Sequence, residues 1–179
     1  MISRMFKRRE AFAAVLGLTD GLLTVLTLAA GRMIRSQSGL PFSLAMRVAA
    51  ASSVAGGVVF FTAEVARRNQ ELVHAERQLN LVTRGHLATT RLGHFVLTES
   101  SKAALIVIGS NFLGALLPLI AGLIWRRFVW GPICFSILSL GALGAIIAKT
   151  TYRSAMLWTT GLMIAGAVLA TLGIWLRIV

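Results

Sequence analysis

The stretch AFAAVLGLTDGLLTVLTLAAG, residues 11–31, decides how the rest of the chain is read. Apart from Asp20 it holds no charged residue. About 20 apolar residues, rising 1.5 Å each, are enough for a helix to cross the hydrocarbon layer of a bilayer. A carboxylate near the centre of such a span costs about 2.5–3.5 kcal/mol on insertion scales, so it is kept where it faces protein, water, a proton or a cation. Asp20 is therefore read as an ion site. The bland alternative is a structural pin, in which Thr19, Thr24 or a neighbouring helix hydrogen-bonds the carboxylate and no ion is involved.

Composition agrees with a membrane protein. Of 179 residues, 56% are hydrophobic and 13% are charged, and the mean hydropathy is +0.79. That is too apolar for a water-soluble domain, and the length suits one domain. The formal net charge of +12 does not argue for nucleic acid, because the basic residues fall in short clusters between apolar runs. Anionic lipid headgroups at the cytosolic face are the expected partner. Cys134 is the only cysteine and lies in an apolar run, where it is expected to fill core.

The expected fold is an all-α integral membrane domain over 1–179 with five transmembrane helices. The spans are about 11–31, 42–65, 103–125, 128–148 and 154–176, with a cytosolic helical insert at 66–102. Trp125, Trp130, Trp158 and Trp175 stand near predicted span ends, where indole rings favour the headgroup zone. The basic start before the first span resembles a secretory signal, but the apolar stretch is long for one and carries Asp20, so the first helix is expected to stay.

Arg4, Lys7, Arg8, Arg9, Arg67, Arg68, Arg77, Arg84, Arg91, Lys102, Lys149 and Arg153 fall on one side of these spans. Only Arg32, Arg35, Arg47, Arg126, Arg127 and Arg177 fall on the other. The positive-inside rule then sets the N-terminus in the cytoplasm and the C-terminus outside or in a lumen.

Two copies of Asp20 meeting at a dimer axis would offer carboxylate oxygens to a hard or borderline divalent cation. Gly17 and Gly21, four apart, give the small-xxx-small stripe that lets two helix backbones approach closely in lipid. Ser110 and Asn111, the polar pair of the third helix, are expected to face Asp20. Pro118, mid-span, removes one backbone hydrogen bond and is either a hinge or a fixed bend.

The second helix is expected to run on past its span towards Gly85, since Val65, Leu72, Ala75, Leu79 and Val82 keep an apolar stripe. Glu64, Glu71 and His74 lie on neighbouring parts of one face and form a candidate vestibule for a divalent metal. Against it, Arg67 stands four residues before Glu71, the spacing of an ordinary surface ion pair. His74, His86 and His94 do not have metal-ligand spacing, and a lone Glu-x-x-His element at Glu71–His74 cannot build a di-iron bundle.

Thr19-Asp20-Gly21-Leu22-Leu23-Thr24 resembles the Asp-Gly-Leu-Val-Thr type motif of the vacuolar iron transporter family. Ala55-Gly56 followed by Glu64, Gly114-Ala115-Leu116-Leu117-Pro118, and Gly141-Ala142-Leu143 leading through Arg153-Ser154 to Gly161 and Gly166 are similar to further family segments, in the same order. The resemblance implies a five-helix homodimer that carries iron(II), and manganese(II) as a second substrate, out of the cytosol in exchange for protons. It places the pathway between the two first helices. The basic insert holds few acids, and Leu72 stands near the position of the family's metal-collecting methionine, so the chain resembles the short branch that lacks the cytosolic metal-binding domain. The cell membrane is expected rather than an organelle membrane.

No nucleophile, phosphate loop or catalytic acid pair is apparent, so neither enzymatic activity nor a bound cofactor is expected. The alternative function is a non-transporting accessory subunit that scaffolds a larger membrane complex.

Overall fold

A computed structural model describes residues 2–33, 42–78, 91–124, 131–151 and 154–175. Five helices account for these segments: α1 (Ile2–Met33), α2 (Phe42–Gln78), α3 (Arg91–Ile124), α4 (Gly131–Thr151) and α5 (Ala155–Trp175). The described residues include no strand. Four helices are long and apolar enough to cross a membrane, over Glu10–Ala30, Met46–Gln78, Arg91–Ala121 and Ala155–Trp175, and a shorter apolar helix covers Ile133–Lys149. This is the pattern of a multi-pass membrane protein.

The helix ends follow from local chemistry. Ser154 stands just before α5, and its carbonyl accepts the Leu157 N–H at 3.2 Å, closing the first turn. Pro132 falls in the first turn of α4, where a missing N–H costs nothing. The described residues of the insert expected at 66–102 are helical and belong to the two long helices, as the expected extension of the second helix requires for its first part. α2 runs unbroken from its apolar half through Glu64 to Gln78, and α3 starts at Arg91, well before its apolar stretch. The part of the predicted extension beyond Gln78, with His86, lies outside the described residues, as do Trp125 and Trp130.

α1 is the central helix and touches all four others. Its inner turns separate two cores. Leu22, Leu26, Ala29 and Ala30 pack on Ile133, Leu140 and Leu143 of α4 and Ala170 of α5. Val25 and Leu28, on another side of the same helix, pack on Ala49 of α2 and on Ala115 and Leu119 of α3. Much of what faces outward is also apolar: Phe12 is 66% exposed, Leu105 67%, Leu138 72% and Met156 80%. An outer surface of this kind suits lipid and would be a liability in water. Cys134 departs from its expected role, for it is exposed on α4, one turn before outward-facing Leu138, and fills no core.

Small residues bring the helix backbones together, as expected where lipid supplies no hydrophobic drive between helices. A Cβ at Gly144 would come within 2.7 Å of the Trp158 carbonyl oxygen, so α4 and α5 touch backbone to backbone. α1 and α3 interlock the same way. A Cβ at Gly114 would meet the Leu18 Cα at 3.0 Å, and one at Gly21 would strike the Asn111 carbonyl and sit 2.8 Å from the Ala115 nitrogen. Pro118 is fully buried inside an α3 helix that continues on both sides of it, the setting of a fixed, packed element.

Candidate functional site at membrane depth

Asp20 stands at the midpoint of the apolar segment Glu10–Ala30. The close α1–α3 contact fixes what it meets. Gly17 and Gly21, one turn apart on α1, both press against α3: a Cβ at Gly17 would lie 2.6 Å from the Val107 carbonyl oxygen and 3.0 Å from the Asn111 nitrogen. The glycine stripe is therefore taken up by the chain's own third helix and does not form the free face expected for a second copy of α1. With no side chain between the backbones, Asn111 reaches across, and its Nδ2 donates to Asp20 Oδ2 at 2.5 Å.

Asn111 is 0% exposed. Its other end meets α2, where the Ser53 hydroxyl, itself buried, lies 3.3 Å from Asn111 Oδ1 and bonds the Ala49 carbonyl at 2.6 Å. Gly56, one turn further along α2, completes the cluster. A Cβ there would stand 3.0 Å from Asp20 Oδ2 and 3.1 Å from Asn111 Nδ2. Three helices thus converge on one carboxylate with an amide, a hydroxyl and a glycine, and none of these neutralises its charge.

Of the possible pins, the threonines do not hold this carboxylate and the neighbouring helix does, through Asn111. The Thr24 hydroxyl donates to the Asp20 backbone carbonyl at 2.9 Å and the Thr19 hydroxyl to the Val15 carbonyl at 2.8 Å. Asp20 remains an exposed residue despite its bond to Asn111, and among the described residues Oδ1 receives no donor. It continues an outward stripe with Phe12 and Leu16 at successive turns of α1. Of the polar pair expected opposite Asp20, Asn111 makes the contact. Ser110 turns its hydroxyl back to the Ile106 carbonyl at 2.7 Å.

The candidate vestibule on α2 is built differently. Glu64 accepts Arg67 Nε at 2.9 Å and Nη2 at 2.8 Å, and also Arg68 Nε at 2.7 Å. Arg67 bonds Glu71 as well, through Nη1. Glu64 and Arg68 have side chains only 14% and 10% exposed, whereas Arg67 and Glu71 are open to the surroundings. His74 is exposed and sits 3.4 Å from the Gln78 amide nitrogen. Glu64, Glu71 and His74 are thus not gathered into a metal set. Among the described residues no group of three or more His, Cys, Asp or Glu side chains could hold a metal ion. The reason is local: spacings of three and four residues place the guanidinium groups on the same helix face as the carboxylates, with Arg67 bidentate on Glu64 and also bonded to Glu71.

Ser53, Gly56 and Arg68 emerge only from the folded arrangement. Ser53 and Gly56 look like ordinary helix-packing residues in the sequence. The i, i+4 spacing of Glu64 and Arg68 was the available signal for that pair. No protein-family model matches this chain, and no curated protein matches it in sequence.

Proposed function

We propose that the chain is a multi-pass membrane transporter for a divalent cation, iron(II) or manganese(II), moved out of the cytosol in exchange for protons. Two copies would bring Asp20 to a shared pathway. The observation that carries this reading is Asp20 itself: a carboxylate at the midpoint of an apolar span, exposed on the single chain and bonded, among the described residues, by a neutral amide alone. Left against lipid, such a group costs several kcal/mol. A second copy together with a cation would remove that cost and supply the oxygen ligands one chain lacks. The glycine stripe is occupied by α3, so the copies would meet through the α1 face of Phe12, Leu16 and Asp20. Five spans, a cytoplasmic N-terminus, anionic lipid at the basic face and residence in the cell membrane complete the reading.

The test is flux. Purified protein in lipid vesicles should move Fe(II) or Mn(II) under an imposed proton gradient, and Asp20→Asn should abolish that movement. A wild-type protein that moves neither ion, nor Zn(II), ends the proposal.

A second reading, an accessory subunit that scaffolds a larger membrane complex, is favoured by one feature. The carboxylates placed to collect metal are already neutralised by Arg67 and Arg68. On this reading unrelated subunits copurify in fixed ratio and Asp20→Asn leaves assembly intact.

A further inference from the structure

Asn111 is a fully buried amide that bridges helices at membrane depth, and its two ends are differently engaged. Nδ2 holds Asp20 Oδ2 at 2.5 Å, and Oδ1 faces the Ser53 hydroxyl at 3.3 Å. A buried Asn side chain with partners at both ends has little freedom to turn. The Asp20 carboxylate inherits that restriction, because one oxygen is tied inward while the residue as a whole stays exposed. Gly56 reinforces it: the contacts a Cβ would make show that α2 lies against both groups.

We propose that Asn111 is a positioning residue for Asp20, holding Oδ2 inside the bundle so that each chain presents a single oxygen, Oδ1, to whatever occupies the outer face of α1. Ser53 steadies the amide from α2. The ligand this suits is a hard cation bound by one oxygen from each chain, since the geometry withholds the bidentate grip that a freely turning carboxylate offers. The assignment deepens the transport reading and rests on Asp20 as its ion site, but it makes a claim about carboxylate geometry that is measurable without transport.

The experiment measures how fast a hydrophobic carbodiimide labels position 20 in the full-length protein in lipid vesicles, read by mass spectrometry, alongside metal flux. Asn111→Leu removes the tether, frees Oδ2 and lets the carboxylate turn outward. Labelling should rise about fivefold, the factor that a hydrogen bond of ordinary net strength imposes on the freed rotamers. Ser53→Ala should raise it by a smaller factor. Labelling of Asn111→Leu at the wild-type rate overturns the proposal, whatever the flux. Faster labelling in a protein that moves no metal upholds the positioning role while the transport reading fails.

Should Asn111→Leu not assemble, the exchange D20N/N111D decides. It keeps one amide facing one carboxylate, so the protein should fold, while the carboxylate moves to the fully buried position and labelling falls below wild type. Labelling of that variant as fast as wild type overturns the assignment.

Discussion

Asp20 and Glu64 are both carboxylates on apolar helices, and the chain treats them in opposite ways. Glu64 is surrounded by charge, with two guanidinium groups from its own helix on its two oxygens. Asp20 is held across the bundle by a neutral amide and, among the described residues, keeps an oxygen without a donor. Local spacing produced the first arrangement and tertiary packing the second. A carboxylate neutralised within one helix is settled wherever that helix goes. One whose partner among the described residues is an amide has no opposite charge beside it there, and an acidic group at membrane depth is costly without one. The contrast is why the proposed function rests on Asp20 and not on Glu64, whose oxygens are taken up by Arg67 and Arg68.

The largest effect is expected where backbone meets backbone beside Asp20. Gly21→Val would drive a branched side chain into the Asn111 carbonyl and the Ala115 amide, neither of which can move without α3. The cost should exceed about 3 kcal/mol, at or above the usual range for overpacking. Monodisperse protein in detergent should be lost. If Gly21→Val yields protein with wild-type thermal stability, the α1–α3 contact is not the one described, and Asp20 loses its tether with it.

Next comes the charged cluster. Glu64→Leu leaves Arg68, 10% exposed at its side chain, without its carboxylate, and should cost about 2 kcal/mol, as expected for an unpaired and partly buried ionic partner. Asp20→Asn should be milder for stability, because the Asn111 amide can still donate to the new side-chain oxygen, although under the proposed function it is the variant expected to remove flux. Thermal unfolding of the two proteins side by side sharpens the comparison. Asp20→Asn proving the less stable of the two would reverse the assignment of roles. Smaller again is Arg67→Ala. Its side chain is 46% exposed, its pairing with Glu71 is on the surface, and Arg68 still holds Glu64 after its two bonds to that carboxylate are lost, so about 1 kcal/mol or less is expected, shrinking further in high salt.

How much of this was legible in the sequence depended on the range of the interaction. Apolar runs near 20 residues marked the long apolar helices, four of them long enough among the described residues to cross a bilayer, because crossing is a constraint on consecutive residues. The Arg67–Glu71 pair was legible for the same reason, being four residues apart on one helix. The small residues at Gly17 and Gly21 showed that a backbone would come close but not whose. A second α1 and the chain's own α3 satisfy the same pattern, and only the fold chooses α3. Ser53 was not legible at all as a partner of Asn111, since the two stand 58 positions apart with no periodic signal linking them. Cys134 was misjudged because an apolar neighbourhood in a membrane helix does not distinguish the inside of the bundle from the lipid side.

Two glycines of α3 carry the comparison down to its smallest test. Gly114 and Gly109 stand five residues apart on one helix, yet the first is pressed on the Leu18 backbone and the second has nothing within 4 Å of where a Cβ would go. Gly114→Ala must push α1 and α3 apart and disturb the level at which Asn111 reaches Asp20, so it should destabilise. Gly109→Ala meets only open space and gains the helix preference of alanine over glycine, up to about 1 kcal/mol in stability. Thermal unfolding of the two variants in the same detergent should therefore move in opposite directions. If Gly109→Ala destabilises as much as Gly114→Ala, the outer face of α3 is covered by another chain, and the contact between copies would have to be sought there and not along Phe12, Leu16 and Asp20.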